Sequence, residues 1–406
     1  MAAGMTVRVI GRAKRWLSAL DREARYVLLA RLLQSGNGFL LSIILVQVYG
    51  LAAAGTFAVA GVLIAPLAIL ATFGLPFSLA RSHAPVEERN ALGCTAGLLA
   101  VPLGLPAIAA CAALLGRDGD EAMAIAWFAC GGLFFAQVNV FNALLVLQRR
   151  AALSVLPHLY SSAGILLAAL LADGLLDFAM IVGIQRIIGV FLCFLLPHSR
   201  IDLRAFFRHA RESAHFMPFE LIHLGADQLF TVALSYLLTR EQLGIFGLWR
   251  QVFNAGMLAP SSMLQTAYPE IVRDPQGSLP TLRRKLNTVS LPTTIGIALL
   301  SWPLGLLVYN APYFPVFTLL LMACLPLGCL VVLYDSGLRA LGEIRLMNQL
   351  GLARGAILLS VVPFLHFGLP GLAAGVNLYT ALCAWLTLRA FAQASGRQPV
   401  LHASSS

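Results

Sequence analysis

Charge is scarce in this chain. Asp, Glu, Lys and Arg make up 11% of its 406 residues, where a soluble domain carries about 25%. With 59% hydrophobic residues there is too little polar surface to cover a soluble core, so the chain reads as an integral membrane protein. Long polar stretches are missing too. The longest, near 198–215 and 268–287, are too short for a nucleotide-binding module, and no G-x-x-x-x-G-K-[ST] occurs. Without a phosphate-cradling loop, an ATP-driven pump in one chain is excluded.

No G-x-S-x-G, H-E-x-x-H or C-x-x-C is present either, so nothing argues for covalent or metal catalysis. The longest external loop, GRDGDEA at 116–122, holds Asp118-Gly119-Asp120, which reads as a turn rather than a metal-binding D-x-D. The seven cysteines, Cys94, Cys111, Cys130, Cys193, Cys324, Cys329 and Cys383, are odd in number and show no metal-ligand spacing. They read as small buried hydrophobes. No cofactor is implied.

What is present is apolar runs long enough to cross a bilayer of roughly 30 Å, about 18 to 25 residues each. Twelve are counted: 26–48, 55–80, 91–115, 122–147, 153–172, 178–197, 216–238, 244–267, 288–310, 313–334, 344–366 and 369–391. Lys and Arg are retained on the cytoplasmic side. With the N-terminus inside, 22 of the 28 basic residues fall in cytoplasmic segments and only Arg117 and Arg240 fall outside. This orients the chain with both termini cytoplasmic. It also accounts for the net charge of +10 as topogenic, so no nucleic-acid partner is implied. No cleavable signal precedes the first run. The piece from Met5 to Tyr26 is either an interfacial helix or a solvated topogenic tail.

Two stretches echo each other at an offset of 189 residues. AGTFAVAG opens the second run and LGIFGLWR opens the eighth, each after a short loop, with Gly55 matching Gly244. A weaker echo links NALLVLQRR (142–150) with SGLRALGEIR (336–345). The economical reading is an all-α polytopic protein of two six-helix bundles, 1–205 and 206–406, related by a pseudo-two-fold along the membrane normal. In transporters built from such parallel repeats the substrate site lies between the halves, near the midplane.

Polar residues inside the runs are the candidate site. Glu220, His223, Asp227 and Thr231 share one face of the seventh run, within about 80° at the helical period. Subtracting 189 gives Arg31, Gln34, Gly38 and Ser42 on the same face of the first run. The eighth run adds Gly247, Arg250, Gln251 and Asn254 at i, i+3, i+4 and i+7. Arg31, Gln34, Arg250, Gln251 and Asn254 are therefore candidate cavity residues, with Arg186 and Arg354 as further cations. A guanidinium in a bilayer must face protein or water, and its planar fork suits phosphate. Arg31 and Arg250 either hold a pyrophosphate or pair with Glu220 and Asp227 as structural ion pairs. Glu220, His223 and Asp227 are either an ion-coupling relay, since a carboxylate shielded from water can exchange a proton near neutral pH, or hydrogen-bonded lining. On the inner side, Arg204, Arg208 and Arg211 share one face of a short helix, suited to anionic lipid head groups and equally to positive-inside charge.

Four stretches carry a family resemblance: VYGLAAAGTFAVAGVLIAPLAILATFGLPFSLAR (48–81), GADQLFTVALSYLLTREQLGIFGLWRQVF (225–253), SSMLQTAYPEIVR (261–273), and SGLRALGEIRLMNQLG followed by HFGLPGLAAGVNL (336–378). Together they resemble the polysaccharide transporter branch, and particularly the O-antigen flippases, of the multidrug/oligosaccharidyl-lipid/polysaccharide exporter superfamily. The resemblance implies a V-shaped pair of MATE-like bundles in a bacterial inner membrane. It implies a non-enzymatic flippase whose cargo is an oligosaccharide on undecaprenyl pyrophosphate, moved by alternating access with proton or cation coupling. Partners would be that lipid-linked oligosaccharide, membrane lipids, and the polymerase and glycosyltransferases of the same pathway. Glu220, where many relatives have an apolar or hydroxyl residue, makes the cavity less cationic than a simple anion trap. Two other readings stay open: an exporter of small organic cations bound by Glu220 and Asp227, and a membrane glycan polymerase or acyltransferase, against which the short external loops argue.

Overall fold

The computed structural model describes residues 22–72, 85–147, 150–190, 200–213, 228 and 230–397. Among them there is no strand. The helices are α1 Arg22–Tyr49, α2 Leu51–Thr72, α3 Val86–Leu115, α4 Gly119–Leu147, α5 Leu156–Leu171, α6 Leu175–Val190 and α7 Leu203–Ser213. After them come α8 Arg240–Arg273, α9 Pro275–Pro303, α10 Tyr313–Leu320, α11 Cys324–Ala340, α12 Ile344–Ser360 and α13 Gly368–Arg397. Residues 230–237 are helical as well. Among the described residues five stretches are long and apolar enough to cross a membrane, or six if α10 and α11 count as one bent span. Of the twelve predicted runs, 55–80, 178–197 and 216–238 extend into residues outside the description, as does most of the N-terminal basic segment.

The helices turn much of their apolar surface outward: Leu114, Leu170, Leu299 and Leu307 are all exposed. In water such a surface would drive aggregation; against acyl chains it is matched.

Contacts divide the chain into two units. The first is Met1–Leu41 with Leu67–Phe216, and the second is Ser42–Pro66 with Met217–Ser406. In the first unit α4 and α6 approach closely at Gly131 and Gly183, where a Cβ on either would press into the facing backbone. Small residues at such crossings let transmembrane helices pack by van der Waals contact where no hydrophobic effect joins them. Phe128 and Phe178 meet edge-on beside this crossing, 6.3 Å between centroids. The amphipathic α7 is capped by Asp202, whose Oδ1 accepts from Ala205 N at 2.9 Å. It buries Phe206, Ala205 and Ala210 against Leu92 and Ala96 of α3. Its outer face leaves Arg204, Arg208 and Arg211 exposed, and Arg208 bridges to Glu88 at 2.6 Å. At the other end of α3, Asp118 Oδ1 accepts from Glu121 N at 2.8 Å and caps α4, so the Asp118-Gly119-Asp120 stretch is a helix-starting turn.

In the second unit the two echoing stretches meet. A methyl built on Gly55 of α2 would collide with the carbonyl of Arg240, and one built on Gly244 of α8 with the carbonyl of Leu51. Residues 51 and 240 are themselves 189 apart, as are Ala58 and Gly247, which touch further along the same crossing. Each helix thus offers its partner the same set of positions.

The run 313–334, expected as one helix, is broken. Residues 321–323 form turns, and α10 and α11 are bent by 44°. Pro326, which has no N–H and whose ring crowds the carbonyl four residues back, explains why the helix does not continue. Asn377 of α13 donates to the Leu320 carbonyl freed at the break, at 2.5 Å. A second irregularity is the π-helical turn Leu304–Val308 at the end of α9. Its last carbonyl accepts from Gln47. Leu264 and Ile271 of α8, Leu282 and Leu286 of α9, and Leu333 and Tyr334 of α11 form the core of this unit.

Candidate functional site

Helix α8 is the spine of the site. A capping box at Thr239 and Gln242 starts it, satisfying orphan donors of the first turn from both sides. One turn on, Phe246, Trp249 and Phe253 stack along it with centroids 5.7 and 5.3 Å apart, and Phe317 of α10 meets Trp249 edge-on. Beside this apolar ladder stand the polar residues foreseen in the eighth run. Arg250 Nη1 donates to Thr231 Oγ1 at 3.5 Å, a long bond. Gln251 Oε1 accepts from Ser42 Oγ at 2.7 Å. Thr231 and Ser42 are the last members of the two predicted stripes, and both are buried. Neighbouring positions on α8 therefore engage equivalent positions of the repeat.

Thr231, Phe246, Trp249, Arg250 and Phe253 border a cavity of about 330 Å³ within the second unit, at the small end of ligand sites. Phe230, Phe246, Trp249 and Phe253 give it an aromatic wall; Arg250, Asn254 and Arg354 are among its polar groups, with Thr231, Tyr379 and Thr380. Asn254 is exposed and Arg250 half-buried.

Arg354 of α12 is buried, 6% exposed. Its Nη1 donates to Asp335 Oδ2 at 3.0 Å and its Nη2 to Asp335 Oδ1 at 2.8 Å, a bidentate pair with α11. Nη2 also donates to Thr387 Oγ1 of α13 at 2.5 Å, and Thr387 in turn donates to the Cys383 carbonyl. Three helices are tied at one guanidinium, whose Nε has no partner among the described residues. Arg354 was a candidate cation in the sequence, but Asp335 was not foreseen as its partner. It falls one residue past the predicted end of the tenth run, where it looked like a cytoplasmic helix end. An acid at the edge of one apolar run and an arginine in the middle of the next was the signal available.

The other predicted residues are distributed as follows. Arg31 and Gln34 lie on α1 in the first unit, Arg31 half-buried and Gln34 exposed. Arg186 is buried in α6. Glu220, His223 and Asp227, the predicted coupling residues, lie outside the described residues. Of the cysteines, Cys94, Cys130, Cys324, Cys329 and Cys383 are buried and unbridged.

The first unit contains a polar cluster that the stripes did not single out. Asn37 Nδ2 donates to the His158 carbonyl at 2.8 Å, and Ser162 Oγ lies 2.5 Å from Asn37 Oδ1. Gln185 Nε2 of α6 donates to the Tyr160 carbonyl at 2.6 Å. Ser161 Oγ and Gln185 Oε1 are buried without a partner among the described residues. Asn37 was passed over because it sits between Gln34 and Gly38 on a neighbouring face of α1.

The sequence matches no protein-family model and no curated protein. Solved structures do match. The lipid II flippase MurJ in an inward closed conformation superposes with a TM-score of 0.66 at 12% identity, over 91% of this chain and 87% of that one. The MATE multidrug transporter DinF-BH, solved as a complex, gives 0.65 at 16% identity, over 92% and 96%. A multidrug resistance MATE family transporter of the MOP superfamily, inward-facing, gives 0.57 at 15%, over 94% and 97%. At such identities the likeness is one of fold, and it is nearly full-length on both sides: the chain has the all-helical fold shared by MATE transporters and a lipid II flippase.

Proposed function

We propose that the protein is a flippase that moves an oligosaccharide linked to undecaprenyl pyrophosphate from the cytoplasmic to the periplasmic leaflet of a bacterial inner membrane. It works by alternating access, coupled to protons or another cation, and performs no covalent chemistry. The observation that carries this reading is the cavity of the second unit, where two guanidiniums, Arg250 and Arg354, stand in an aromatic wall. Cations beside apolar surface match an amphiphile whose head is anionic and whose tail is a hydrocarbon. A cavity for organic cations would instead present acids; among the described residues none lines this one, and Asp335 is engaged by Arg354.

In this reading Arg250 and Asn254 contact the head group in the cavity, with the guanidinium on the pyrophosphate. Glu220, His223 and Asp227 carry the coupling ion. The basic N-terminal segment and exposed Arg204, Arg208 and Arg211 face the inner leaflet, and a polymerase and glycosyltransferases of the same pathway are the functional partners.

Deleting the gene should make the undecaprenyl-pyrophosphate oligosaccharide accumulate on the inner leaflet. Mass spectrometry of the lipid-linked pool reads this out, and an unchanged pool sinks the proposal. Arg250→Glu should abolish complementation while the protein still inserts. Raised drug sensitivity with normal surface glycan would replace the flippase by an organic-cation exporter.

A further inference from the structure

The cavity's two guanidiniums are in different states. Arg250 has one long hydrogen bond among the described residues, to a neutral hydroxyl. Arg354 has its two terminal nitrogens filled by Asp335 and Thr387, and its Nε is buried without a partner among the described residues. Yet Arg354 lines the same cavity as Arg250, while Asp335 stands one turn beyond Val331 and Val332, which form that wall. The carboxylate holds the two terminal nitrogens of the guanidinium in the bidentate geometry that a phosphate would use.

We propose that Arg354 is a second ligand for the anionic head of an amphiphile in this cavity, held in reserve by Asp335, which gives up part of its grip when a phosphate or pyrophosphate arrives. The inference deepens the flippase reading and rests on it only for the choice of pyrophosphate as the anion.

Three features support it. With Asp335 counted, the two arginines leave a net charge of +1 among the described charged groups at the cavity. That charge attracts an anion without leaving two bare cations in an apolar bundle, a costly arrangement. The Nε is a buried donor without an acceptor among the described residues, and such a group is satisfied when a ligand or water supplies one. Phe230, Phe246 and Phe253 provide the apolar surface that an inorganic anion would not need.

The exchange makes an unusual demand: removing the native partner of a buried arginine should improve ligand binding. Geranyl pyrophosphate is the probe, titrated by calorimetry into the purified full chain in nanodiscs, with geraniol and inorganic pyrophosphate as separate arms. Asp335→Asn should tighten geranyl pyrophosphate by roughly tenfold or more, because the ligand then supplies the counter-charge that Asp335 gave Arg354. Arg354→Gln should weaken it by a similar factor, and the Asp335→Asn/Arg354→Gln double variant should bind no better than Arg354→Gln. Thr387→Val, which keeps the ion pair intact and so tests the idea in a chain whose charges remain paired, should tighten binding two- to threefold.

Unchanged or weakened binding in both Asp335→Asn and Thr387→Val overturns the reserve-ligand proposal and leaves the flippase reading standing. Inorganic pyrophosphate is expected to bind at least tenfold more weakly than the geranyl ester; equal binding overturns the assignment of the aromatic wall to a lipid tail. No binding of the pyrophosphate, with binding of a geranyl ammonium ion instead, sinks the flippase reading together with this one.

Discussion

Two polar clusters, one in each unit, are built in opposite ways. That of the first unit is neutral: Asn37, Ser162 and Gln185 bond backbone carbonyls or one another, on α1, α5 and α6, where α6 also buries Arg186. That of the second unit pairs full charges, Arg354 with Asp335, at the wall of an aromatic cavity. Neutral polar groups in an apolar bundle cost little when bonded and fix helix register. A buried ion pair costs more than its apolar replacement and often adds no stability. The difference suggests that the first cluster is framework and the second is retained for what it binds.

That contrast can be broken by mutation. Arg354→Met alone strands a buried carboxylate and should cost about 3 to 5 kcal/mol, whereas Arg354→Met with Asp335→Leu should be close to neutral. Unfolding in detergent micelles measures both; equal losses in the single and double variants would erase the distinction. Next in size, Gly244→Val overpacks the crossing with α2 and should cost about 1 to 3 kcal/mol in the same assay. A neutral result would mean the helices separate at no cost. The smallest effect belongs to the first unit: Asn37→Ala removes hydrogen bonds between neutral groups and should cost about 1 kcal/mol. It should leave transport measured per folded molecule unchanged, and a loss of transport with full stability would move that cluster from framework to function.

Most of the helical layout was legible because a bilayer demands long apolar runs, and these are visible without any fold. The Gly55 and Gly244 echo was legible for the same reason a repeat is: one offset recurs. What it concealed was that the echoing residues touch, since an offset says nothing about where an axis passes. The break at 321–323 was hidden inside a continuous apolar stretch, where Pro326 looked tolerable. Arg250, Gln251 and Asn254 were found from their helical spacing, and Arg250 and Asn254 line the cavity. Asp335 was not found, because a hydropathy boundary placed it just past the tenth run while its carboxylate is buried against a guanidinium from the next helix.

The meeting of Gly55 with Gly244 has a consequence for ancestry. A contact in which each helix presents Leu51, Gly55 and Ala58 or their counterparts Arg240, Gly244 and Gly247 is isologous in form, the kind a two-fold homodimer makes. A helix carrying one copy of the motif already possesses both sides of the joint, so in an ancestor with a single copy the same contact would form between two chains rather than within one.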